Sequence, residues 1–287
     1  MTSHRIIGVT IIFAALTIPI GCGTPADVGD EVTAKQTEDT ANKLGQRLSR
    51  LHHYFHRKEE PHAAEWSYSG ESGPAHWGDL SPEYVLAKDG QQQSPIDIQT
   101  AANQELPQLT LDYKPSKINL VYNGHTIEET EDQGSSLVVD GHQYAFKQFH
   151  FHAPSEHTID GKHAEMEMHL VHIDDDGQIA VIGVMINEGT ENSAFEPVWN
   201  YLPTSENKRL QYDAVVDAQA MLPKELDYYH YAGSLTTPPC SEGVRWYLLT
   251  RPIELSRQQI DRFKAIIDNN NRPVQPLNRR VVFRSQH

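Results

Sequence analysis

The chain has 287 residues and a formal net charge of −15 at pH 7, with 39 acidic against 24 basic side chains. That balance argues against nucleic acid as a partner and against electrostatic docking on anionic lipid, and it says little about a neutral small substrate. The length allows one large domain plus appendages.

Residues 1–22 read as an export leader. His4 and Arg5 precede an apolar run, Ile6 to Leu16, that is too short for a comfortable transmembrane helix. Ile18-Pro19-Ile20-Gly21-Cys22 has the look of a lipobox with Cys22 as the acylated residue, although Pro19 stands where that motif usually has Leu. Ordinary cleavage near Ala26, releasing a soluble protein, is the alternative. Both routes put the protein outside the cytoplasm; the first anchors it by lipid at Cys22, in the periplasm or at the cell surface. Residues 23–62 are expected to be a polar tether. Leu44, Leu48, Leu51 and Phe55 recur there at helical spacing, so a short amphipathic helix is compatible with part of it.

Further along, short strands separated by Gly, Asn and Pro turns dominate, with two helix signals. Ser81-Pro82-Glu83 is an N-cap followed by Pro at the first helical position. Leu137 to His142 predicts a strand running into an Asp-Gly turn, and the continuous apolar run Ile179–Ile186 predicts a central strand buried on both faces. Ser256-Arg257-Gln258-Gln259 is a capping box. The stripe Ile260, Phe263, Ile267 predicts a helix that continues until Asn269 to Asn271 end it.

The chemistry concentrates in Gln148-Phe149-His150-Phe151-His152 and Glu165-Met166-Glu167-Met168-His169. On strands, period-2 alternation puts Gln148, His150 and His152 on one face, and Glu165, Glu167 and His169 on one face of the second segment. Pairing the strands brings three imidazoles together. Three neutral His with one open position describe a catalytic zinc site, whereas structural zinc sites are closed by four protein ligands, usually rich in Cys. Gln148 and Glu167 have the chemistry to accept ring N–H groups and aim the metal-binding nitrogens. Chance clustering among 16 His is one alternative. The other is a cupin-like site with Glu156 as a ligand, although Tyr144 stands where that motif expects Gly.

Further blocks decide between these. Ser234-Leu235-Thr236-Thr237-Pro238-Pro239-Cys240-Ser241-Glu242-Gly243-Val244-Arg245-Trp246 resembles the signature loop of the α-class carbonic anhydrases. So do Gln93 to Ile98, Asn123-Gly124-His125, Ser155-Glu156-His157 and Asn270 to Leu277, in the family's order from about Trp66 to Arg284. The resemblance implies a mainly β catalytic domain over residues 63–287, a large, twisted, mostly antiparallel sheet with peripheral short helices. It implies a zinc carbonate dehydratase that interconverts carbon dioxide and bicarbonate by zinc-bound hydroxide attack, with an esterase side activity plausible. Water on the zinc of carbonic anhydrases has a pKa of about 7, a known property of that enzyme class.

Residue by residue, the resemblance makes His150, His152 and His169 the zinc ligands and His125 the proton shuttle. It assigns Thr236 and Glu156 to orienting the nucleophile, Thr237 to the bicarbonate site, and Val171, Val181, Leu235, Val244 and Trp246 to an apolar wall for carbon dioxide. Tyr68, Asn123 and Glu128 fall on the polar side of the cavity, with Glu128 where many relatives carry an amide. Gln93 and Asn270 are expected to support the metal shell and nearby backbone. A non-catalytic binding domain of the same family would be expected to lack a His ligand, and all three are present. Exported relatives commonly pair the loop Cys with one in a Leu-Cys-Lys context, where this chain has Leu86-Ala87-Lys88. Cys240 is therefore expected as a buried thiol or as a bridge to a second chain, which leaves a homodimer open.

Overall fold

Segments whose apolar residues alternate or run together form the strands. Eight carry the architecture: β1 (Ser116–Tyr122), β2 (Ile127–Thr130), β3 (His142–His152), β4 (Met166–Ile173), β5 (Ile179–Glu188), β6 (Arg209–Val216), β7 (Tyr228–Ser234) and β8 (Glu242–Leu249). This computed structural model describes residues 64–130 and 134–286, so the expected leader, Cys22 and the tether lie outside the described residues. The strands join a 13-stranded sheet in the order β6-β1-β2-β3-β4-β5-β8-β7, extended beyond β7 by Phe283–Arg284 and Ala102–Asn103. The eight pair antiparallel except at β5–β8. The architecture is mainly β, with short peripheral helices. No helix among the described residues is long and apolar enough to cross a membrane.

The two faces of the centre have different duties. On one, Phe149 and Phe151 of β3, Met166, Met168 and Leu170 of β4, and Ile182 and Val184 of β5 pack with Trp199 and Phe263 in the main core. On the other, Val171 and Val181 join Leu235, Val244 and Trp246 in a smaller cluster. Strand β5 is thus buried on both sides, which is why its sequence is apolar without alternation. Each such side chain contributes about 1.5–3 kcal/mol when fully buried, so the strand order at the centre is strongly specified.

Strand β3 is less regular than alternation predicts. Phe146 pairs with His172 and Gln148 with Val171, leaving Lys147 as an unmatched bulge residue. Upstream of it even-numbered Tyr144 and Phe146 face the main core; downstream, odd-numbered Phe149 and Phe151 do. The two halves also have different neighbours on their outer side: Ser136–Val139 pairs with the first, β2 with the second. The hairpin into β3 closes through Asp140 (φ 52°) and Gly141 (φ 74°), with Val139 opposite His142. Two consecutive positive φ values make the tight turn that matches strand twist.

Both helix signals are real, the first opening only short turns and the second a helix that ends before Asn269. The Ser256–Gln259 capping box opens Arg257–Lys264, with Ile260 and Phe263 buried. The helix stops five residues before Asn269, where the Ile266 N–H takes a tighter i→i−3 bond to the Phe263 carbonyl and shares that acceptor with the Ile267 N–H. Ile267 is still buried, just past the end. Ser81 caps only the 3-10 turn Pro82–Tyr84, followed by one α-turn, Leu86–Asp89. Tyr84 is drawn inward against Trp66 and Trp77, and Gly90 ends the run.

Candidate metal centre

Register builds the site. His150 of β3 lies directly opposite His169 of β4, and His152 opposite Glu167, so all four share one face. Each imidazole has one nitrogen engaged. His150 Nδ1 is 2.8 Å from Gln148 Oε1, His152 Nδ1 is 2.7 Å from the Asn270 carbonyl, and His169 Nε2 is 2.8 Å from Glu167 Oε1. These acceptors force the N–H onto the engaged nitrogen and leave the other bare. One ligand nitrogen from each ring lies within 4.8 Å of the other two, and His152 Nε2 is buried without a hydrogen-bond partner.

Protonation suits the same reading. Burial lowers all three imidazoles, taking His152 down to about 4 and His150 well below the usual histidine range. They are neutral at neutral pH, with lone pairs available. Burial alone would raise the Glu167 carboxyl, but His157 and His169 beside it hold it well below the usual carboxylate range. Glu167 is therefore an acceptor only. Its Oε1 takes N–H bonds from His169 and from His157 Nδ1 (2.7 Å), and its Oε2 from the Glu156 and His157 backbone (2.9 and 2.8 Å).

Glu156 occupies the floor. Its Oε1 accepts from the Arg272 backbone N–H at 2.8 Å. Its Oε2 has no hydrogen-bond partner and lies 3.5 Å from His152 Nε2 and 3.9 Å from His169 Nδ1. Burial pushes this carboxyl up to about 7, and the nearby Thr236 hydroxyl favours its ionised form. Thr236 is buried, and Thr237 beside it is half-buried. Val171, Val181, Leu235, Val244 and Trp246 form one cluster on the same face, with the Trp246 ring 4.9 Å from that of His169. A second set of possible ligands, His157, Glu167 and His169, is already consumed by mutual hydrogen bonds and by His157 Nε2 with Tyr231 Oη at 2.6 Å. Glu165, expected on the site face, lies before β4 begins and pairs with Lys264 at 2.7 Å.

Comparison with known proteins agrees with this geometry. The family model of eukaryotic-type carbonic anhydrase matches residues 72–286. A carbonic anhydrase of Klebsiella pneumoniae is 44% identical over 224 residues, 77% of this chain and 91% of the relative. One of Pectobacterium atrosepticum is 41% identical over 222 residues, with the same coverage of 77% and 91%. The chain belongs to the α-carbonic anhydrases. Among solved structures, the α-carbonic anhydrase of Thermovibrio ammonificans, in complex with the inhibitor sulfanilamide, is 48% identical with a TM-score of 0.75, covering 77% of this chain and all of that one. The protein is accordingly a carbonate dehydratase acting on carbon dioxide and bicarbonate, and the cupin alternative is set aside.

The periphery of this carbonic anhydrase differs from expectation in detail. His125 is half-buried and stacks face to face on Trp66, with centroids 3.6 Å apart and planes at 10°. Tyr68 meets it edge-on at 6.4 Å. The side-chain Oδ1 of Asn123 accepts from the His125 and Thr126 backbone N–H groups (3.0 and 2.9 Å), so it shapes the turn at Gly124. Glu128 lies directly opposite His150 in the β2–β3 ladder, and burial raises its carboxyl. Asn270 braces His152 and the nearby backbone. Besides its carbonyl on His152, its side-chain amide donates to the His125 and Phe151 carbonyls (3.0 and 2.9 Å), tying the His125 loop to β3.

Arg272, His157 and Tyr231 carry no local signal of their role at the site. Arg272 places its backbone N–H on Glu156 and its buried guanidinium on Gln93 Oε1 and the Ser94 carbonyl (2.8 and 2.7 Å). His157 and Tyr231 extend the Glu167 network to Ser94 Oγ, 2.9 Å from Tyr231 Oη. Cys240 is a free, fully buried thiol packed with Trp66, Trp77 and Tyr84, and Ala87 abuts the same cluster.

Proposed function

We propose that this enzyme hydrates carbon dioxide reversibly with zinc held by His150, His152 and His169. The observation that carries the proposal is the set of three buried, neutral imidazoles, each with one nitrogen fixed by an acceptor and the other turned toward the same point. An all-nitrogen set of three with an open position suits catalytic zinc. When bound, zinc supplies the Lewis acidity that makes water a nucleophile at neutral pH.

The chain's own residues do the rest. Gln148, Glu167 and the Asn270 carbonyl fix the ring tautomers. With Thr236 donating to Glu156, the Thr236 oxygen is left to accept from the attacking water and hold it with a lone pair toward the substrate carbon. The apolar wall from Val171 to Trp246 receives a linear molecule without net polarity, and Thr237 lines the bicarbonate side. Hydration releases one proton, and His125 carries it to buffer, histidine being the side chain suited to proton transfer near neutral pH. Esterase action on activated esters follows from the same nucleophile. We further propose export with a lipid anchor at Cys22, supported by the leader pattern of residues 1–22 and tested by loss of fatty-acid labelling in Cys22→Ser.

Metal analysis combined with stopped-flow carbon dioxide hydration tests the catalytic reading. Zinc near one per chain and sulfonamide-sensitive hydration are expected, both lost in His169→Ala. Iron without hydration, or full zinc and full activity in His169→Ala, refutes it.

A further inference from the structure

Gly183 lies in the middle of β5, where a glycine gives up packing and costs backbone entropy. Its partner across the β4–β5 ladder is His169. A methyl group built at Gly183 would stand 3.1 Å from Glu167 Oε1, 2.7 Å from Leu248 Cδ1 and 3.7 Å from the Trp246 ring. Glu167 Oε1 is the atom that accepts from both His169 Nε2 and His157 Nδ1.

None of these neighbours is free to retreat. The other oxygen of Glu167 is pinned by two backbone N–H groups. Leu248 is fully buried, and the Trp246 indole N–H is bound to the Ser234 carbonyl at 3.0 Å. We infer that Gly183 is a positioning residue for the metal centre: the absence of a side chain there lets Glu167 Oε1 keep a position only 3.1 Å from where a Cβ would stand, and so it preserves the direction and tautomer of His169.

The chain of cause is short. A Cβ at residue 183 displaces Oε1 by a few tenths of an ångström, and one acceptor serving two donors cannot follow both. The His169 N–H bond weakens, Nδ1 is no longer held bare, and affinity for metal falls by roughly 10–100-fold, as on losing an outer-shell partner. The inference rests on His169 being a zinc ligand. A glycine kept only to spare Leu248 would leave metal binding untouched once that contact is relieved.

The test compares wild type, Gly183→Ala, Leu248→Val and the double variant as purified proteins. Zinc affinity is read by competition with a chromophoric chelator, and ligand geometry by the visible bands of the cobalt(II)-substituted protein. Leu248→Val keeps wild-type affinity. Gly183→Ala and the double variant both weaken zinc by 10–100-fold with shifted cobalt bands, while the double variant regains thermal stability. If Gly183→Ala does not fold, the double variant carries the comparison against Leu248→Val. Wild-type affinity in Gly183→Ala, or its full recovery in the double variant, overturns the positioning role. A wild-type protein that takes up no metal fails the zinc reading instead.

Discussion

Replacing Glu167 by Gln keeps the volume and exchanges one acceptor oxygen for a donor amide, which makes it a sharper probe than truncation. The carboxylate is fully buried and accepts four hydrogen bonds, two from imidazoles and two from backbone. A glutamine satisfies one pair and confronts the other with its NH2. Turned toward the backbone, the amide leaves the Glu156 and His157 N–H groups without an acceptor, about 1–3 kcal/mol each. Turned toward the rings, it forces a proton onto His169 Nδ1, the nitrogen needed for metal. The first outcome lowers the melting temperature of the metal-free protein by on the order of 5–20 °C; the second weakens zinc by roughly 10–100-fold. Scanning calorimetry and chelator competition on Glu167→Gln measure both. A variant that matches wild type in both would refute the account of Glu167 as a four-fold acceptor that sets the His169 tautomer.

Three further expectations follow from other parts of the molecule. His125→Ala slows maximal hydration in dilute buffer, keeps its zinc, and regains part of its rate with added imidazole; an undiminished rate in dilute buffer means that protons leave by another route. Burial holds His172 down to about 3 and His152 to about 4, against about 6.5 in the unfolded chain. Below pH 6.5 the unfolded state binds more protons at these two and at His150 and His169, against the opposite contributions of Glu156 and Glu128, whose raised carboxyls protonate earlier in the folded state. The metal-free protein therefore loses stability as pH falls from about 6.5 toward 4. A urea midpoint that is unchanged or higher at pH 5 than at pH 7.5 contradicts this. Burial pushes the Cys240 thiol up to about 12, so it reacts with thiol reagents only after unfolding, and non-reducing electrophoresis of the domain lacking the leader and Cys22 gives a monomer. A reductant-sensitive covalent dimer establishes the intermolecular bridge instead.

What the sequence made legible was local and periodic. The alternation in Gln148–His152 and Glu167–His169 gave the shared face because β3 and β4 are regular through those residues. The run Ile179–Ile186 and the Asp140-Gly141 turn were readable for the same reason. The bulge at Lys147 was not: nothing in Tyr144-Ala145-Phe146-Lys147-Gln148 announces that the core-facing side changes there. Other support for the site crosses long stretches of chain. The Asn270 carbonyl reaches His152 across 118 residues, and the Arg272 N–H reaches Glu156 across 116. Backbone donors and acceptors have no side-chain identity to betray them, so only family resemblance pointed at that segment. Asn123 shows the converse: its residue type fitted a polar wall, but its oxygen was claimed by the adjacent turn.

The unmatched Lys147 makes β3 two strands of opposite parity joined end to end. In an unbroken strand a one-residue slip in the outer hairpin would propagate to the far end and turn every imidazole toward the core. Here the outer half pairs with Ser136–Val139 and the inner half with β2, while β4 spans both, its register to Ala145 and Phe146 offset from its register to Gln148–His152 by the slack residue between them. The junction therefore works as insulation. The hairpin at Asp140-Gly141 is free to lengthen or shorten one residue at a time, the bulge growing or vanishing to absorb the change. From Gln148 onward a change of length must come in twos, or the metal site turns inside out.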